Sequence, residues 1–138
     1  MSSNPIRVIV ADDHGMVRRG IVSFLKNNAD IHVIGEAQDG RQAVELCEHL
    51  QPDVVLMDLQ MPEMDGVAAT RAIRKQSPTI QVIALTSFQD RDKVQEALYA
   101  GAISYLLKNV SGDDLAAAIR NAHAGRHYPP DRVIHCAQ

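Results

Sequence analysis

Five short apolar runs recur along the chain, at residues 6–11, 31–37, 54–57, 81–85 and 104–107, and longer stretches of helical period separate them. The first, third and fourth runs are rich in Val, Ile and Leu with little polar alternation, as expected of strands covered on both faces. Between and after the runs, apolar residues fall on helical stripes: Val17, Ile21, Phe24 and Leu25; Ala43, Cys47 and Leu50; Val94, Ala97 and Leu98; Leu115, Ala118, Ile119 and Ala122. A one-sided stripe needs a sheet or another helix to cover it. Five strand–helix units result, and right-handed crossovers then predict an α/β fold, an open, doubly wound parallel sheet with helices on both faces.

Local punctuation agrees with these units. Asp39 precedes Gln42, and Ser111 precedes Asp114, at capping-box spacing, while Gly101 and Gly125 follow periodic stretches. The run Arg126-His127-Tyr128-Pro129-Pro130 interrupts any helix, so residues 5–125 read as one domain and 126–138 as the start of a linker or a disordered tail. No apolar run approaches the roughly 18 to 20 residues that span a bilayer. The opening Met1-Ser2-Ser3-Asn4-Pro5 lacks the basic and apolar regions of a secretory signal, so the expected compartment is the cytoplasm, with no membrane partner. Fourteen Lys and Arg against seventeen Asp and Glu give a net charge of −3, which recommends no polyanionic partner for the chain as a whole. Cys47 and Cys136 are too few for a disulfide framework and read as ordinary thiols.

In an open parallel sheet, ligands bind beyond the carboxyl ends of the strands, where strand order reverses. Asp12 and Asp13 close the first run, Asp58 the third, Thr86 and Ser87 the fourth, and Lys108 the fifth. If the first and third strands are neighbours, three carboxylates converge, and they resist joint ionisation unless a cation compensates. All-oxygen ligation suits Mg²⁺ better than zinc. The set can then receive a phosphoryl group, with a carboxylate nucleophile, a metal ion, a Lys point charge and a hydroxyl donor.

A phosphorylated signalling module and a Mg²⁺-dependent phosphohydrolase share that inventory. Against the hydrolase, Gln60 stands two residues after Asp58 where a second Asp is wanted, and no insertion encloses a substrate. A third reading is a binding module that works without phosphate. His14 reads as a residue opening the first helix at the site rim. His123 and His127 have a metal-ligand spacing only on a continuous helix, which Gly125 argues against. Met57, Met61 and Met64 read as packing.

The runs Ala11-Asp12-Asp13-His14, Met57-Asp58-Leu59-Gln60-Met61-Pro62-Glu63-Met64-Asp65-Gly66, Ala84-Leu85-Thr86-Ser87 and Tyr105-Leu106-Leu107-Lys108 resemble a response-regulator receiver domain. The resemblance implies a flavodoxin-like (βα)5 fold with strand order 2-1-3-4-5, and a two-component signalling role that is not that of an enzyme. It implies that Asp58 accepts phosphate from a sensor histidine kinase. Asp13, Asp58 and the Gln60 backbone carbonyl would hold Mg²⁺, with Asp12 acting on it through water, and Lys108 would bind a phosphoryl oxygen. Thr86 would hydrogen-bond the phosphate and Tyr105 rotate inward, altering the surface of the fourth helix, fifth strand and fifth helix. Receiver homodimers through the first and fifth helices, or through the fourth-helix face, are also implied.

The run Gly35-Glu36-Ala37-Gln38-Asp39-Gly40-Arg41-Gln42-Ala43-Val44 and the Leu-Leu-Lys end of the fifth strand are similar to receivers that precede a LuxR-type helix-turn-helix domain. No such domain occurs up to Gln138. DNA binding is therefore expected only of a C-terminal part absent here, and the alternative is a free-standing receiver. One departure from the pattern is Asn109 after Lys108, where many receivers have Pro.

Overall fold

The computed structural model describes residues 4–87 and 91–127. Strands and helices alternate throughout: β1 (Ile6–Ala11), α1 (Gly15–Leu25), β2 (Ile31–Ala37), α2 (Gly40–Leu50), β3 (Val54–Asp58), α3 (Gly66–Gln76), β4 (Gln81–Thr86), α4 (Arg91–Ala100), β5 (Ser104–Leu107) and α5 (Gly112–His123). All strand pairs are parallel, and the sheet order is β2-β1-β3-β4-β5. This is the flavodoxin-like arrangement, with its reversal of strand order between β1 and β3.

Alternate residues of each strand feed two separate cores. Ile9, Ala11, Val55, Met57, Val82 and Ala84 pack with Ala43 and Cys47 of α2, Val67, Ala69 and Ile73 of α3, and Ala97 of α4. Val8, Val10, Val54, Leu56, Ile83, Leu85 and Leu106 pack with Leu25 of α1 and with Leu115, Ala118, Ile119 and Ala122 of α5. With both faces covered, neither parity of position can be polar, and the strands read as continuous apolar runs. β3 is buried along its whole length.

Two strands run one residue further than their apolar runs. Asp58 pairs with Leu85 and Thr86 pairs with Leu107, because the backbone ladder continues where the side chains turn polar. The inner face of α3 is Gly66, Val67, Ala69, Thr70 and Ile73, small and partly polar, which explains why no apolar stripe announces it.

The capping residues behave as their spacing predicts. Asp39 accepts from the Gln42 N–H at 2.8 Å, and Ser111 accepts from the Asp114 N–H at 3.1 Å. The return bond from Gln42 reaches the Gln38 N–H at 2.7 Å, one residue earlier than in a standard box. Gly101 and Gly125 take the left-handed conformation, at φ 118° and 80°. Because α5 stops at His123, His127 does not share a helical face with it, and the ring of His127 instead contacts the Ile103 carbonyl. Cys136, Pro129 and Pro130 lie outside the described residues. Among the described residues, no helix is long and apolar enough to cross a membrane.

Candidate functional site

Adjacency of β1 and β3, with Ala11 opposite Met57, brings the residues that follow each strand side by side at the carboxyl edge. Asp12 and Asp58 are both buried, 0% and 1% exposed. One oxygen of each is satisfied locally. Asp58 Oδ1 accepts from the Gln60 N–H at 3.2 Å, and Asp12 Oδ1 accepts from the His14 N–H at 2.8 Å. The other oxygens, Asp58 Oδ2 and Asp12 Oδ2, are buried and are met by a side-chain cation and not by a backbone donor. They face the Lys108 ammonium, 3.0 Å from Asp58 Oδ2 and 3.5 Å from Asp12 Oδ2.

Lys108 reaches this point because its own N–H donates to the Thr86 carbonyl at 2.9 Å, which pins the turn after β5 to the end of β4. Thr86 is itself buried, and its hydroxyl donates to the Ser87 carbonyl at 3.1 Å. Tyr105, half-buried on β5, packs against the core covered by α2, α3 and α4, and strand alternation puts Thr86 on that same face. Gln60 is exposed, just beyond the end of β3. Asp13 is more open than its neighbour, and His14 Nδ1 lies 3.3 Å from Asp13 Oδ1 and 3.3 Å from Asp12 Oδ1. The structure thus brings Asp12, Asp13, Asp58 and Lys108 together, with Thr86 and Gln60 at the adjoining ends of β4 and β3.

Burial pushes the Asp58 carboxyl up to about 6. The hydrogen bond from Lys108 opposes that rise, the Asp12 charge adds to it, and the Gln60 N–H opposes it again. Burial depresses Lys108, yet its pairing with Asp58 and Asp12 outweighs burial and holds the ammonium above its ordinary value. One lysine among three carboxylates leaves the cleft short of positive charge. Two buried carboxylate oxygens that share one ammonium and no backbone donor are what a hard divalent cation takes up, and the carboxylate donors fit Mg²⁺.

Three supporting residues act through contacts that the sequence does not announce, although His14 and Gly66 stand inside the motif runs. Arg18 of α1 donates through Nη1 to the Asp12 carbonyl at 2.6 Å and through Nε to Glu36 of β2 at 2.9 Å. With the Asp12 N–H donating to the Ala37 carbonyl at 3.0 Å, the backbone of Asp12 is held from both sides. Gly66 opens α3 directly behind Asp58, where an added Cβ would come within 2.1 Å of the Asp58 carbonyl oxygen. His14, expected at the rim, is close enough to bond both Asp12 and Asp13. In sequence, Arg18 looks like any helix-surface cation and Gly66 like any turn glycine.

Comparison with known proteins agrees with this geometry. Residues 8–120 match the response regulator receiver domain family. The chain is 51% identical over 120 residues to the transcriptional regulatory protein LiaR of Bacillus subtilis, covering 87% of this chain and 57% of that protein. It is 48% identical over 130 residues to the response regulator protein VraR of Staphylococcus aureus, covering 94% of this chain and 62% of that protein. The chain therefore spans somewhat more than half the length of these curated relatives. A two-component response regulator of the LuxR family from Aurantimonas superposes with a TM-score of 0.87 at 30% identity, covering 97% of this chain and 96% of the other. The family consists of signalling receivers and is not a family of conventional enzymes. The fold, the sheet-edge cluster and these relatives together show that the chain belongs to the response regulator receiver domain family of two-component systems.

Proposed function

We propose that residues 5–125 form a phosphorylation-controlled receiver whose acceptor is Asp58, with residues 126–138 beginning a linker. The observation that carries this reading is the buried Asp58 carboxylate, whose Oδ2 faces the Lys108 ammonium at 3.0 Å at the carboxyl edge of the sheet. A carboxylate oxygen paired with a side-chain ammonium can exchange that partner for an electrophile without breaking the backbone structure around it. The Asp58 oxygen forms a bond to phosphorus as the P–N bond of a sensor histidine kinase's phosphohistidine breaks. The departing imidazole keeps the electron pair and takes up a proton.

Asp13, Asp58 and the Gln60 carbonyl are the proposed ligands of Mg²⁺, with Asp12 acting through water; when bound, the ion neutralises charge on the phosphoryl oxygens. Lys108, now paired with Asp58, exchanges that carboxylate for a phosphoryl oxygen. The Thr86 hydroxyl exchanges the Ser87 carbonyl for the phosphate, and Tyr105, on the same sheet face, turns inward. The surface formed by α4, β5 and α5 is the proposed output. The kinase domain and this receiver meet in the cytoplasm.

The relatives' names, a transcriptional regulatory protein and a LuxR-family regulator, support a DNA-binding helix-turn-helix output in a C-terminal part absent here. Incubation with acetyl phosphate and Mg²⁺ tests the acceptor. One phosphoryl group should be added by intact mass, and none to Asp58→Ala or without a divalent ion. An unlabelled native chain, or undiminished labelling of Asp58→Ala, would overturn the assignment.

A further inference from the structure

The ring of His14 does nothing for the helix it precedes. It stands at the N-cap position of α1 and makes no side-chain capping bond. Its side chain is 63% exposed, so solvent ions can reach it. Yet Nδ1 is directed into the acidic cleft, 3.3 Å from an oxygen of Asp12, 3.3 Å from an oxygen of Asp13 and 3.4 Å from Lys108 Nζ. The carboxylates can only accept from Nδ1 and the ammonium can only donate to it, so these contacts do not fix the tautomer of the ring, and a cation in the cleft would select the one with the lone pair on Nδ1.

The ammonium marks where positive charge is wanted. Lys108 Nζ is the cation shared by Asp58 Oδ2, Asp12 Oδ2 and His14 Nδ1, at 3.0, 3.5 and 3.4 Å. Those two carboxylate oxygens are buried and have no backbone donor. Ligand atoms of Asp12, Asp13, His14 and Asp58 all lie within 4.8 Å of one another. Two ligands at right angles on one ion, each at about 2.1 Å, are about 3.0 Å apart, close to the 3.3 Å between His14 Nδ1 and Asp13 Oδ1.

We propose that His14 Nδ1 is a further ligand of the divalent-cation site, so that this cleft takes first-row ions that accept imidazole nitrogen, such as Co²⁺, more tightly than its carboxylates alone would dictate. The inference rests on the reading of the cleft as a divalent-cation site and adds a nitrogen to an otherwise all-oxygen set. Imidazole contributes little to Mg²⁺, a hard ion, and much to Co²⁺, Ni²⁺ and Zn²⁺. His14 therefore acts on which ion is bound, while the three aspartates act on whether any ion is bound.

Calorimetric titration of the chain with MgCl₂ and with CoCl₂, together with the visible spectrum of the Co²⁺ form, tests this. His14→Phe keeps an aromatic ring at an exposed position and removes the nitrogen. Its Co²⁺ affinity should fall by about tenfold or more with a shift of the Co²⁺ absorption bands, while Mg²⁺ affinity stays within about twofold. Asp13→Ala should lose both ions. Unchanged Co²⁺ affinity in His14→Phe, with Mg²⁺ still bound, would overturn the proposal and leave the metal reading standing. Equal loss of both ions in His14→Phe would also overturn it, since His14 would then only shape the acidic turn. Retention of Co²⁺ by Asp13→Ala would place that ion on another histidine and would overturn the proposal as well. If the native chain binds neither ion, the metal reading itself fails and the proposal with it.

Discussion

Lys108 Nζ lies 3.0 Å from Asp58 Oδ2, although β4 stands between the strands that carry the two residues. The pair spans the rim of the sheet, and its carboxyl partner is raised to about 6. Because the folded value exceeds the ordinary 3.8, Asp58 favours the folded state below about pH 4 and loses that contribution as pH rises through 6. Without divalent ions, Asp58→Asn should therefore be more stable than the native chain at pH 7.5 by about 1–3 kcal/mol. Urea unfolding between pH 4 and 8 checks this, and the variant's stability should vary less across pH 4–6.

Removing the other partner has the opposite sign. Lys108→Ala leaves two buried carboxylates without their cation, and should destabilise the ion-free chain by about 3 kcal/mol. Added Mg²⁺ should raise the melting temperature of this variant more than that of the native chain, because the ion supplies the charge the lysine gave. Thermal melts with and without 10 mM MgCl₂, roughly 10 times a millimolar dissociation constant, provide the comparison.

Gly66→Ala forces a methyl group to within 2.1 Å of the Asp58 carbonyl oxygen, a backbone atom that cannot rotate away. The start of α3 must shift. A loss of about 1–3 kcal/mol in urea unfolding is expected, with slower labelling by acetyl phosphate.

Arg18→Ala frees the Asp12 carbonyl and breaks the pair with Glu36. Mg²⁺ affinity should drop by about 10-fold, the usual consequence of losing a group in the outer shell of a metal site. Glu36→Gln removes the ion pair but keeps the Arg18 bond to Asp12, so its Mg²⁺ affinity should stay close to native. Parallel calorimetric titrations distinguish the two.

Burial pushes the Cys47 thiol up to about 12. At pH 8 the folded chain should leave this residue unmodified by iodoacetamide, because the thiolate is the reactive species. Peptide mapping after labelling in buffer and in 8 M urea, well above the midpoint of most small domains, should show Cys47 alkylated only in the second.

Much of the fold can be read in the chain because Val8, Ile9, Val10 and Val54, Val55, Leu56 leave neither strand face for polar residues. The third helix is faint because Ala69 and Thr70 pack against the sheet without the bulk that makes a stripe visible. Apolar runs end before Asp58 and Thr86, since the pattern follows side chains while the ladder follows backbone. Asp12, Asp13, Asp58, Thr86 and Lys108 could be picked out because strand ends in such a sheet are where ligands go. Arg18 could not, and of His14 only its place at the rim could. Their meaning depends on reaching the Asp12 carbonyl and the Asp12 and Asp13 carboxylates, and no local pattern encodes such a reach.

The bond from the Lys108 N–H to the Thr86 carbonyl makes neighbours of two groups that would greet any incoming anion. A displacement of that carbonyl must either drag the lysine backbone along or rupture the link. The cationic arm and the hydroxyl thus hang from one backbone link of 2.9 Å, placed just beyond the last rung of the ladder between Thr86 and Leu107.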